Sequence, residues 1–433
     1  MSRLKRILFA ALFGLIVSIV VYAASQTVLY WPFLKIQNRI DDANFLIRQR
    51  IRAAETADTD SIVIVDIDDR TFRSLGNFKS KLWPRRHMAQ VIGNIGRDGP
   101  RLIFLDIIFE GRTIHNHDLA DSIKSAGNVI AGYYFRLDSE NRERRPLDSV
   151  YNELFYAKDM ETAKSERAQL IQAHDSVFPY DGIMRSVRAL GFTNYIPDPD
   201  GILRHIPLYI GTGIQSGRAS ASVAVQMWLQ LNGIHYSQAK ISRSGVRFGD
   251  TFIPTDKHCF MRLNFKALGP VYPSVSFVDV LRGEFEPGFF RDKIVMIGSS
   301  TEKAGDIKRI PGRGLLPGVE VHATALSTLL DQSFLTVLHA NFVFLLTVMA
   351  GIVAAIIYTL LPAVRVGLPS ALFMSAALYS TGVVSFVAFG ILINVVVPVF
   401  SVILLSVIAV IHRIIEYYEH HHVNVNRDVA SVT

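Results

Sequence analysis

The chain has 433 residues, half of them apolar, a single cysteine and a formal net charge of +7. That apolar content excludes a disordered chain, and Cys259 alone excludes an intramolecular disulfide framework or a multi-cysteine zinc site. The basic residues are scattered among acidic ones, so the charge reads as membrane topology and gives no nucleic-acid signature.

Arg3, Lys5 and Arg6 precede an uncharged run from Ile7 to Tyr30. Ala23, Ala24 and Ser25 are small enough for a cleavage site, but the run is longer than a signal-peptide core, which predicts an uncleaved anchor. Near the other end, Asn341–Leu361, Leu368–Phe389 and Ile391–Ile411 are three further apolar runs. Each is about 20 residues, the length of a membrane-spanning helix. Short connectors and recurring small residues (Gly351, Ala354, Ala355, Ala371, Gly382) predict a packed bundle. The expected division is residues 1–30 for a cytoplasmic stub and first span, 31–337 for an extracytoplasmic domain, 338–413 for three spans and 414–433 for a cytoplasmic tail. Arg3, Lys5, Arg6, Arg365 and Arg413 then all face the cytoplasm. Lys35, Arg39, Arg48, Arg50 and Arg52 run against that rule and are discounted, because long domains are translocated largely regardless of charge.

Between the spans, Leu34–Ile51 has the spacing of a juxtamembrane helix. Ser61–Asp68 is a β-branched run of the kind that makes a buried strand, Trp83–Gly99 a helix entered through Pro84, Arg101–Ile108 a second strand, Leu119–Ala126 a helix and Val129–Phe135 a third strand. This alternation predicts an α/β domain with a largely parallel central sheet. Asp138–Asp175 is charged and reads as a solvated insertion that can be helical. Leu190–Ile196 and Ile202–Ile210 flank the turn residues 197–201 and predict a hairpin. Ala219–Leu231 reads as a helix, Ile241–Phe252 as short strands, Phe260–Phe265 as a strand, Val275–Leu281 as a helix, Lys293–Ser299 as a last buried strand and Val319–Leu330 as a helix able to pass a displacement to the bundle.

Asp66, Asp68 and Asp69 close the first strand, Asp106 and Glu110 lie in or after the second, and Arg85 opens the helix between them. Ligands in open α/β sheets collect at the carboxyl ends of strands, so these residues, with Ser299 and His322, are candidates for a cation or small-ligand site. The plainer alternative is that the carboxylates cap helices and pair with Arg85, Arg86 or Arg101. Ser299, Ser300, Asp306 and His322 contain the side chains of a hydrolase, yet nothing resembles a nucleophile elbow. The segment 298–300 lacks the P-loop lysine and the spaced glycines of a nucleotide site. No catalysis, cofactor or metal is expected. His412, Glu416 and His420 would share a helix face that could bind a transition metal, though it reads more simply as a solvated helix end or part of a partner-binding tail, and Tyr417 and Tyr418 suit a membrane interface.

Six motifs in order, VIVDIDD (63–69), WPRR (83–86), FLDIIF (104–109), PDPDGILR (197–204), VMIGSS (295–300) and PGVEVHA (317–323), resemble the CHASE2 family of bacterial extracytoplasmic sensory domains. The resemblance runs from Asp42 to Asp331, and one span before it with three after it is similar to that family's layout. It implies a receptor in a bacterial plasma membrane with both termini cytoplasmic. Relatives commonly continue into a cyclase or kinase domain, whereas here the chain runs only from Arg413 to Thr433. The expectation is therefore a receptor or receptor subunit, homo-oligomeric or part of a complex, that answers an extracytoplasmic ligand or protein and acts through a membrane or cytoplasmic partner. A structural subunit of an envelope complex, or a cyclase or kinase chain cut before its output, are the alternatives.

Overall fold

Runs of β-branched residues with no polar interruption can be buried on both faces only inside a sheet covered by helices on each side. The computed structural model describes residues 2–51, 61–76, 83–137, 156–158, 169–173, 175–212, 218–266, 271–301, 306–312, 314–361 and 367–430. Its helices are α1 (Arg3–Ser25), α2 (Tyr30–Ile51), α3 (Asp69–Leu75), α4 (Arg85–Asp98), α5 (Asn116–Ala126) and α6 (Asp181–Met184). They continue with α7 (Val223–Asn232), α8 (Phe277–Arg282), α9 (Gly318–Leu330), α10 (Ala340–Leu360), α11 (Leu368–Phe389) and α12 (Val396–Ala430). The main sheet contains β1 (Ile62–Asp66), β2 (Leu102–Leu105), β3 (Val129–Arg136), β4 (Asp175–Val177), β5 (Ala189–Phe192), β6 (Ser274–Ser276) and β7 (Ile294–Gly298). The chain divides into a helical unit, residues 1–48 with 336–433, and an α/β unit, residues 49–335.

In the α/β unit the strands run β6-β1-β7-β2-β3 and are parallel. The long strand β3 then pairs in parallel with β5 through Ile130–Tyr133 and antiparallel with β4 through Tyr134–Arg136. Val63, Val65, Ile103, Leu105, Val295 and Ile297 point into one core with Met88, Ile92 and Ile95 of α4 and Leu119 and Ile123 of α5. The alternate residues face the opposite side, where α7 lies on β2, β3 and β5 and α9 lies on β1 and β7. The α9 contact is close because Gly298 ends β7: a Cβ there would sit 2.6 Å from the Cβ of Val319. Gly99, in the left-handed region at φ 79°, stops α4 where the sequence predicts.

Three expectations change. The predicted hairpin at 190–210 does not form. Its turn is present, with Gly201 N–H donating to Asp198 O at 2.8 Å, but β5 has four fully buried residues and extends the central sheet beside β3. The segment His205–Pro207 pairs instead with Phe260–Arg262. Of the charged stretch 138–175, residues 138–155, 159–168 and 174 lie outside the described residues. The described parts are extended: Tyr156–Lys158 pairs with Arg218–Ala221, and Asp175 opens β4. The residues before Val223 are likewise strand, and α7 begins only after Ser222, whose hydroxyl accepts the Val225 N–H at 3.4 Å.

In the helical unit α1, α10, α11 and the Val396–Glu419 part of α12 are long and apolar enough to cross a membrane. Small residues let their backbones approach. A Cβ on Gly14 would stand 2.6 Å from Gly351 O, one on Gly351 would run into Ser18 Oγ, and Ser18 Oγ meets Ser401 Oγ at 3.0 Å. The third closing helix starts at Val396, five residues later than its apolar run. Gly390 ends α11 at φ 70°, and Ile391–Leu392 is drawn into a parallel pairing with Thr336–Val337 before Pro398 falls in the first turn of α12.

Candidate functional site

The carboxyl ends of β1, β7 and β2 lie side by side, and each ends in polar residues that the chain order keeps apart. Asp66 closes β1; its carboxylate accepts the Ser300 N–H at 2.9 Å and the Ser300 hydroxyl at 2.6 Å. Burial raises its pKa and the Ser300 bonds oppose that rise. Asp68 is the N-cap of α3, accepting from Thr71 N–H at 2.7 Å, Thr71 Oγ1 at 2.8 Å and Ser276 Oγ at 3.0 Å. Asp69 is exposed in the first turn of α3, favourable to the helix dipole. Ser299 donates to Ile67 O at 2.8 Å. The structure therefore gives Asp66, Asp68 and Ser299 well-formed local partners and does not gather the acidic residues around one point. Among the described residues no three His, Cys, Asp or Glu side chains converge as for a metal ion.

Arg85 is buried at the start of α4. Its guanidinium donates to Trp83 O at 3.0 Å and Glu110 O at 2.8 Å and lies 5.0 Å from the Phe109 ring centroid. It ties the entry of α4 to the loop after β2 through the backbone of Glu110.

Asp106 and His322 are different. Asp106 follows β2 with its side chain 10% exposed, and His322, on the sheet-facing side of α9, is 3% exposed; His322 Nε2 is 3.8 Å from Asp106 Oδ1. That distance is too long for a hydrogen bond. Neither ring nitrogen of His322 has a hydrogen-bond partner among the described residues. The imidazole is wedged between Phe104 at 5.6 Å, edge on, and Tyr195 at 4.8 Å, inclined by 30°. Tyr195 donates to Gly318 O at 2.7 Å and lies under the ammonium of Lys308 at 4.6 Å, and Lys308 pairs with Asp306 at 2.7 Å. Gly318 is required here, because a Cβ would run into the Asp306 carboxylate.

The separation would permit an ion pair, but burial acts more strongly on both charges. It lowers the His322 pKa to about 3, with Lys308 adding to the effect. Burial also raises the Asp106 carboxyl well above 3.8, Asp306 raising it further and Lys308 opposing. Burial, then Asp106 and Asp306, raises the Tyr195 phenol. Burial therefore disfavours the charged form of both partners, and at 3.8 Å no hydrogen bond joins them. Sequence reasoning marked Asp106 and His322 but missed Tyr195 and Lys308, which come from separate segments and carry no local signal.

The CHASE2 domain family matches residues 14–361. This chain belongs to that family. CHASE2 domains are sensory, and no curated protein and no solved structure matches the chain. The match starts within α1 and ends after α10, wider than the six motifs. Five of those CHASE2 motifs supply the residues just described. The remaining one, PDPDGILR, is held by Arg204, 1% exposed, which donates to Asp198 Oδ2 at 2.6 Å and to both oxygens of Asp200 at 3.0 and 2.9 Å.

Proposed function

We propose that this protein is a transmembrane sensory receptor of a bacterial plasma membrane, with its CHASE2 α/β domain outside the cytoplasm and its termini inside. It answers an extracytoplasmic ligand or protein and acts through a partner protein. Family membership supports the sensory part, and the four apolar helices with Arg3, Lys5, Arg6, Arg365 and Arg413 flanking them support the topology. The observation that carries the reading is the CHASE2 match over residues 14–361. Within the domain, the buried Asp106–His322 pair at 3.8 Å, where α9 meets the loop after β2, is where a stimulus would act. A stimulus that supplies a partner to it, or moves α9 by the short distance that closes the 3.8 Å gap, has differential affinity for two states.

The test is a chain lacking residues 61–332 but keeping its helices, placed in the native cell. Loss of the cell's response to external conditions supports the receptor, and a response that persists unchanged removes it. Protease added to intact spheroplasts tests the topology: the α/β domain should be digested and the segment after Arg413 spared.

A further inference from the structure

The chain passes between its two units twice, at 48/49 and at 335/336. Within each unit, both crossings are gripped by one short segment.

In the α/β unit that segment is Asn264–Lys266. Gln49 Nε2 donates to Phe265 O at 3.2 Å, which holds the first crossing. Asn264 Nδ2 donates to Ser333 O at 3.1 Å, and Lys266 binds Ser327 Oγ at 2.8 Å and the Asp331 carboxylate, which hold the end of α9 and the approach to the second. In the helical unit the segment is the non-helical connector between α11 and α12, with the helix ends that flank it. Arg48 donates to Phe386 O at the end of α11 and lies 5.2 Å from the Phe386 ring centroid. Gln37, on the same face of α2 about three turns earlier, donates to Ile393 O at 3.2 Å and accepts the N–H groups of Val395 at 3.1 Å and Val396 at 3.4 Å. Thr336 N–H donates to Gly390 O at 3.0 Å and Leu338 N–H to Leu392 O at 2.8 Å.

Gln37 thus satisfies backbone groups that the start of α12 leaves without helical partners, and Arg48 satisfies a carbonyl at the end of α11. These are buried groups, and capping them with side chains of α2 makes the connector depend on where α2 stands. The helix α2 is continuous through 48/49, so Gln49 and Arg48 move together. The second link is equally short, because Ser333, held by Asn264, is followed almost at once by the strand Thr336–Val337 that pairs with the connector.

We infer that Asn264–Lys266 and the 386–396 connector are the two ends of one mechanical coupling, with Gln37 and Arg48 as its positioning residues. A shift of α9 or of 264–266 is delivered by both chain links to the same connector, and so to the N-terminal end of α12. The signalling purpose of this coupling rests on the receptor reading, but its existence does not.

The test is hydrogen exchange, followed by mass spectrometry, on the full chain in nanodiscs of phosphatidylethanolamine and phosphatidylglycerol. Lys266→Met should speed exchange of the amides of Thr336, Leu338, Val395 and Val396 about fivefold, the scale of one net hydrogen bond. The amides of β1 and β7 serve as the control and should keep their protection. In a Gln37→Leu, Arg48→Met background the Val395 and Val396 amides are already fast, and Lys266→Met should add nothing to them. Unchanged connector exchange in Lys266→Met overturns the inference, as does an equal increase at Val395 and Val396 when Gln37 and Arg48 are absent. Should Lys266→Met cost the sheet its protection, Asn264→Ser replaces it, and the same two results support or overturn the coupling. A coupling that passes while the 61–332 deletion leaves the cell's response intact would stand without the receptor role.

Discussion

Replacing Asp106 by asparagine and, separately, His322 by leucine splits the buried pair into halves whose pH dependences have opposite sign. Stability follows the difference in bound protons between the unfolded and folded states. From about pH 4 to 6.5 the unfolded chain carries one proton on this pair, on the imidazole. In the folded chain the imidazole gives up that proton, while the Asp106 carboxyl holds its own to higher pH than in the unfolded chain. In the intact pair the two contributions therefore oppose each other. In Asp106→Asn only the histidine remains, with a folded pKa of about 3 against an ordinary 6.5, so the unfolded state binds the extra proton. Stability is full above pH 6.5 and is lost as pH falls toward 3, by about 2.5 kcal/mol between pH 6 and 4. In His322→Leu only the carboxyl remains, and the folded state holds the extra proton. Stability then rises as pH falls through the folded pKa of Asp106 and is complete below the ordinary carboxylate value, with a limiting slope of about 1.4 kcal/mol per pH unit.

The assay is pulse proteolysis in urea of the full chain in lipid nanodiscs, from pH 4.5 to 6.5. The double variant supplies the background from the rest of the chain. Single variants whose slopes, measured against the double variant, share one sign would refute the opposed shifts.

Ser300→Ala removes the hydroxyl that donates to Asp66 at 2.6 Å and should lower stability by about 1–3 kcal/mol in the same assay, because the carboxylate stays partly buried without it. Arg204→Ala leaves Asp198 and Asp200 facing each other across a vacated guanidinium site; the loss should be about 3 kcal/mol, the low end for a broken buried pair because both carboxylates are partly exposed. Restored stability in an Asp198→Asn, Asp200→Asn, Arg204→Met triple variant would trace that loss to the charges. Gly351→Leu drives a side chain into Ser18 and should lower the thermal midpoint of the detergent-solubilised chain, whereas Leu372→Ala, at an exposed position of α11, should leave it unchanged.

The elements legible in the sequence are those fixed by local pattern. The apolar run Leu368–Phe389 is helix α11 to the residue, with Pro369 in its first turn and Gly390 just past its end marking the bounds. The β-branched stretches at 62–66 and 294–298 are central strands for another reason: buried on both faces, they carry no polar alternation. The turn at 197–201 was legible too, from its prolines, aspartates and glycine. What its flanking strands pair with was not, since a turn constrains a few residues and strand partners are chosen by burial elsewhere in the sheet.

The amino-acid order by itself determined four long apolar helices, an alternating α/β unit with mostly parallel strands, and six motifs that mark a CHASE2 chain. Only the tertiary structure decided that Asp66 and Asp68 are spent on Ser300 and Thr71, whereas Asp106 meets His322 with Tyr195 and Lys308 close by. It alone showed that Gln37 and Arg48 grip a connector more than 300 residues away in the chain. Periodicity reports how a segment lies against its immediate surroundings. The partner of a buried polar group is set by crossovers that bring distant segments together, and these leave no trace in local composition.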